Sequence, residues 1–124
     1  TGAHPFQVQG TIHADGYFGE NGLTKIIQSA DELANDFHTY AINWTPDYIE
    51  WFFDDLSYNR INRHEVESEG KPWPFNQEFY LIMNLATGGN FDGGELDESI
   101  LKAEMKIDWI KYTTLNGVGK LIKK

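Results

Sequence analysis

The 124-residue chain has no cysteine, which excludes disulfides, thiolate metal sites and a cysteine nucleophile. The compartment is left open by that absence. No apolar run reaches the length of a membrane-spanning helix, so no transmembrane segment is expected. Basic residues are few: 10 Lys and Arg stand against 19 Asp and Glu, a net charge of −9. An acidic surface argues against nucleic acid and anionic membranes as partners and suits a neutral ligand, or simply solubility. No leader-like segment precedes Thr1, as expected of a mature or processed form or of an intracellular one. Serine-triad signatures, phosphate-binding loops, zinc spacings and internal repeats are also missing.

What is abundant is aromatic: 4 Trp, 6 Tyr and 8 Phe. Such residues pack well on pleated sheets, and exposed rings can stack on the C–H faces of sugars. Length and composition fit one domain with a modest core.

Along the chain, Val8 to His13 is a short β-rich run with Gln9, Thr11 and His13 on one face. Glycines 16, 19 and 22 mark a long loop. Ser29 to Leu33 suggests a single turn at most. Phe37 to Trp44 alternates, placing His38, Tyr40, Ile42 and Trp44 together. Thr45-Pro46-Asp47 is turn chemistry, Tyr48 to Phe53 is the returning strand, Asp54-Asp55 is the next turn, and Leu56 to Ile61 forms a further strand. Arg63 to Gly70 is charged and expected to be exposed. Pro72 and Pro74 exclude helix around Trp73. Glu78 to Ala86 is nearly continuously apolar, which predicts a strand covered on both faces. Thr87 to Gly94 is a glycine-rich loop, Leu101 to Thr113 alternates as a last strand, and Asn116 to Lys124 is a basic, peripheral tail. The pattern predicts an antiparallel β-sandwich.

Few residues suggest chemistry. Asn84 is polar within the most apolar segment. It is either a satisfied structural amide or a groove residue that binds sugar hydroxyls. His13, with Gln9 and Thr11, is either structural or part of a row of hydrogen-bonding groups suited to a glycan. Glycoside hydrolysis needs two carboxylates across one bond. Glu65, Glu67 and Glu69 have the spacing to share a strand face but lie in a polar run; Glu95 and Asp97 lie in the glycine-flanked loop. Both sets read as solvated acids. Asp108, between Ile107 and Trp109, either pairs with Lys106 or Lys111 or ligates a hard cation with backbone oxygens.

Several ordered segments carry a resemblance. VQGTIHADGY is similar to the GTIH strand and following loop of the family 16 glycoside hydrolases. FHTYAINWTPDYIEWFFDD resembles that family's FHTYAIEWTP-x-x-I-x-WYVDG hairpin, with Asp55 in place of the usual glycine. WPFNQEFYLIMNLATGGN resembles WPFD-x-PFFLILNLAVGGN, and MKIDWIKYT resembles the closing VDYVRVY strand. The laminarinase (endo-β-1,3-glucanase) type and its lichenase relatives are the nearest in pattern. The resemblance implies an all-β fold, in which residues 1–124 form the C-terminal part of a two-sheet antiparallel jelly-roll β-sandwich (concanavalin A-like) completed by another chain. It implies β-glucan as partner, an extracellular location and a structural calcium. His13 would correspond to the family's cleft histidine, Asn84 to its cleft asparagine and Asp108 to the calcium aspartate. The family's E-x-D-x-x-E motif, which supplies nucleophile and acid/base, precedes the GTIH strand and is found nowhere in the chain. No catalytic residue is therefore assigned. The expectation is a retaining endo-β-glucanase whose carboxylates reside on a separate N-terminal chain. A non-catalytic glucan-binding module and a self-paired oligomer are the competing readings.

Overall fold

In the computed structural model, residues 2–89 and 98–122 are described. Two antiparallel sheets carry the fold. The first pairs β1 (Gln7–Ile12) with β2 (Leu23–Gln28), in a register that sets Thr11 opposite Thr24 and Gln9 opposite Ile26. The second runs β3 (Tyr40–Trp44), β4 (Tyr48–Phe53), β5 (Leu56–Asn62) in that order.

Alternation decides the faces. Val8, Gly10 and Ile12 of β1 are buried, while Gln9 and His13 are exposed and Thr11 is partly so. Ile12 joins Tyr17, Ile49, Val66 and Trp73 in the core, with Leu23, Trp51, Ile61 and Phe75 packed around them. Gly10 lets the sheets approach: a β-carbon there would sit 2.8 Å from the Trp51 ring and 2.8 Å from the Tyr58 hydroxyl. Asn59 Nδ2 donates to the Gly10 carbonyl at 3.2 Å, tying β5 to β1. Tyr58 reaches this point because the β4–β5 register shifts between Trp51 and Phe52, leaving Tyr58 as the extra residue of a bulge. Long-range hydrogen bonds lock the irregular segments to the core. Tyr17 donates to the Pro72 carbonyl at 2.7 Å, and Trp73 Nε1 to that of Pro46 at 2.9 Å.

The β4–β5 hairpin turns through Asp54 (φ 45°) and Asp55 (φ 66°), both left-handed. Two consecutive positive φ values match the twist of a two-residue hairpin. The turn thus keeps its left-handed backbone although Asp55 stands where a glycine was expected.

Four expectations need correction. First, the glycine-marked stretch is not all loop, because Leu23–Gln28 is strand β2; its β-branched residues find a partner in β1. Second, β3 begins at Tyr40 rather than Phe37. Third, the charged stretch after β5 holds a helix, α1 (Arg63–Ser68), with Val66 buried. An Arg63–Glu67 ion pair at 2.9 Å spans one turn. Gly70 N donates to Glu67 O and Lys71 N to Val66 O, a Schellman ending with Gly70 at φ 76°. One apolar residue gives no helical period to read. Fourth, Glu78 to Ala86 and Leu101 to Thr113 form no strand here and are exposed rather than covered; Leu101 is 97% exposed. Among the described residues they have no ladder partner, and a segment without one is not a strand.

The same deficit marks β3. Tyr40, Ile42 and Trp44 pair with Phe53, Trp51 and Ile49 and so share their core-directed face. Yet Tyr40 is 60% and Ile42 56% exposed. The architecture is all-β apart from α1: part of a two-sheet antiparallel sandwich with one flank of its core face uncovered.

Candidate functional site

The outward face of β1 and β2 carries a row of linked polar side chains. Gln9 Nε2 donates to Thr11 Oγ1 at 3.0 Å, and Thr11 Oγ1 lies 2.7 Å from Thr24 Oγ1. Thr24 Oγ1 donates to the Gly10 carbonyl at 3.5 Å. With each hydroxyl donating onward, the row runs from Gln9 to the backbone in one direction. That fixes the rotamers of both threonines and leaves Gln9 with a further N–H and its carbonyl for a ligand. His13 continues the row past the end of β1, beside Gly22. A β-carbon on Gly22 would lie 2.5 Å from His13 Cε1, 2.6 Å from Nδ1 and 2.8 Å from Thr11 Cγ2. The structure therefore brings Gln9, Thr11 and His13 together as expected from their alternation. It adds Thr24, which the sequence reading assigns to no strand, and Gly22, which that reading marks only as a loop glycine. The three β-branched residues Thr24, Ile26 and Ile27 were the available signal.

Asn84 and Asp108 are not brought to this row. Both lie on the unpaired, exposed segments. Asn84 is not a buried structural amide in this chain, and Asp108 is not in an ion pair with Lys106 or Lys111. Calcium takes six to eight oxygens, carboxylates among them. Among the described residues no group of three or more His, Asp or Glu side chains is assembled. Asp108 alone does not fit a calcium site.

The remaining acids are engaged or exposed. Because Arg63–Ser68 is helical, Glu65, Glu67 and Glu69 do not share a strand face. Glu65 accepts from Asn62, Glu67 pairs with Arg63, and Glu69 pairs with Lys71 at 2.7 Å. Glu95 and Asp97 lie outside the described residues.

A second constellation escaped the sequence. His38 Nδ1 lies 2.7 Å from Asp54 Oδ2, and Asp54 Oδ1 accepts from Thr39 N at 2.9 Å. The backbone amide of Thr39, then the His38 hydrogen bond, hold the Asp54 carboxyl below its ordinary range. Burial, then the Asp54 charge, push the Tyr40 phenol up. The His38 ring packs on Phe53, centroids 4.9 Å apart, with Nε2 enclosed and unpartnered. Among the described residues, the side-chain hydrogen bonds of the pair run between its two members and to the Thr39 backbone amide. The pair ties the start of the β3 segment to the end of β4 and has the form of a structural clasp rather than a catalytic dyad.

Comparison with known proteins places this geometry. The family model for glycosyl hydrolases family 16 matches residues 1–111. A glucan endo-1,3-beta-glucosidase A1 of Niallia circulans is 36% identical, covering 89% of this chain and 17% of its own length. A beta-glucanase of Rhodothermus marinus is also 36% identical, over 89% of this chain and 40% of its own. Among solved structures, the endo-beta-1,3-glucanase of Pyrococcus furiosus superposes with a TM-score of 0.72 at 35% identity, over 77% of this chain and 37% of that one. The laminarinase catalytic domain of Thermotoga maritima MSB8 gives a TM-score of 0.72 at 32% identity, over 77% and 39%. The chain thus spans less than half the length of each of these relatives.

Proposed function

The chain belongs to glycosyl hydrolases family 16, and from that premise we propose that it is the cleft-wall half of a retaining endo-β-1,3-glucanase acting on laminarin-like glucans. A complementary N-terminal segment supplies the E-x-D-x-x-E carboxylates. The observation that carries this reading is the bare core face of β3: Tyr40 and Ile42 point to the core side of their sheet and are more than half exposed. Apolar surface of that kind, next to extended apolar segments without ladder partners, favours association with a matching half-sandwich. The names of the relatives favour β-1,3-glucan as the polymer.

In the assembled site, two carboxylates about 5–5.5 Å apart on the partner segment act as nucleophile and acid/base across one glycosidic bond. This chain moves no proton. Gln9, Thr11 and His13 bind sugar hydroxyls along the wall of the cleft, and Asn84 joins them once its segment is paired. Action outside the cell follows from the polymeric substrate. A structural calcium, if the assembled protein holds one, draws most of its ligands from elsewhere than this chain.

The test is laminarin hydrolysis by the chain, by the complementary N-terminal segment and by their mixture. Activity in the mixture alone, with retention at the anomeric carbon, is the expected outcome. Stable assembly with glucan binding but no hydrolysis would favour the second reading, a non-catalytic β-glucan-binding module. Failure to assemble would overturn the proposal.

A further inference from the structure

Gly22 is a glycine without a backbone reason. Its φ of −57° and ψ of 145° lie in a region open to every L-residue. It caps a single 3-10 turn, Gly19–Asn21, through its N–H to the Gly19 carbonyl at 3.2 Å, a bond that any residue other than proline could make. What requires glycine is space. A β-carbon would fall 2.5 Å from His13 Cε1 and 2.6 Å from His13 Nδ1, with the Thr11 methyl at 2.8 Å. Such separations are far inside van der Waals contact. The imidazole therefore rests on the Gly22 backbone, next to the hydroxyl row that starts at Gln9.

We infer that Gly22 is a positioning residue: it seats the His13 imidazole against the Gln9–Thr11–Thr24 row, so that the ring presents its hydrogen-bonding edge to a β-1,3-glucan. The inference rests on the reading of this face as a glucan-binding wall. It deepens that reading by naming what fixes the histidine. Two groups must yield to a side chain at position 22: the outer part of the exposed His13 ring, free to turn into solvent, and, by less, the Thr11 methyl. A substitution here should therefore leave the fold nearly intact while misplacing groups of the binding row, His13 first. A glycine held by backbone conformation would behave the other way, with stability lost first.

The experiment is a double-mutant cycle of Gly22→Ala and His13→Ala, measured on the chain together with its complementary N-terminal segment. The readouts are the Kd for a β-1,3-linked glucohexaose, the melting temperature, and the NMR resonance of the His13 ring proton on Cε1, assigned by its loss in His13→Ala. Gly22→Ala should weaken binding by roughly three- to tenfold, the worth of one hydrogen bond to a neutral group. The melting temperature should move by less than about 3 °C, as for a surface change. The His13 resonance should shift, and the double variant should lose less affinity than the sum of the two single losses. Impaired binding by His13→Ala with wild-type binding by Gly22→Ala, or additive losses in the double variant, would overturn the role of Gly22 while leaving the glucan wall standing. Wild-type affinity in His13→Ala would overturn the wall reading at this histidine and the inference with it.

Discussion

The chain contains two β-rich regions with different outcomes. Residues 40–62 fold into a three-stranded sheet whose every ladder is local and antiparallel. Residues 78–86 and 101–113 have as strong an apolar pattern and form no ladder among the described residues. The difference is partners rather than propensity. A strand is stabilised by its neighbour's backbone groups and by side chains across the pair. In the first region a turn of two to three residues delivers that neighbour. In the second no neighbour is paired among the described residues, and apart from Phe79, which packs on Trp44 and Phe75, the apolar residues are largely exposed.

Substitutions can break or sharpen this contrast. Trp73→Ala should have the largest effect. It empties a buried core site and removes the Nε1 bond to Pro46, so it should cost about 3–5 kcal/mol in urea unfolding of the chain. Leu81 is 69% exposed, so Leu81→Ala should change the stability of the chain alone by less than about 0.5 kcal/mol. Once the complementary segment is bound, the same change should cost about 2–5 kcal/mol. Equal effects in both states would erase the proposed difference between the regions.

A smaller effect is expected at the clasp of the first region. Asp54 has a folded pKa below its ordinary value, so its stabilisation is complete above that ordinary value and is lost as pH falls through the lower, folded one. The carboxylate is 48% exposed, so solvent screening keeps the contribution below about 1 kcal/mol. Asp54→Asn should be less stable than the wild type at pH 7, and the gap should narrow at about pH 2, below the usual carboxylate range. Chemical denaturation at the two pH values checks this. The smallest effect concerns Asp55. Relief of a left-handed non-glycine residue gains about 1–2 kcal/mol, and the greater freedom of glycine in the unfolded chain returns about 0.4–1 kcal/mol. Asp55→Gly should therefore raise the urea midpoint slightly, by the equivalent of roughly 0.5 kcal/mol.

These differences also explain what could be read in advance. The β3–β4 hairpin was legible because alternation before Thr45-Pro46-Asp47 and a β-rich aromatic run after it flank turn chemistry. Gln9, Thr11 and His13 were legible as one face by alternation. Strand β2 was obscured by the glycines before it, and α1 by having Val66 as its only buried residue. The His38–Asp54 clasp joins residues 16 apart through the hairpin register, which no local pattern reports. Asn84 illustrates a further limit. Its periodicity says which face it would occupy in a strand, but a pattern in one chain says nothing of whether the pairing strand is present.

The most direct test of the account is amide hydrogen exchange along the chain, alone and with the complementary N-terminal segment. The account predicts slow exchange in 40–62 in both states. Residues 79–86 and 101–112 should exchange freely in the chain alone and become protected on assembly. Protection of 79–86 in the chain alone, or none after the segment is added, would contradict it.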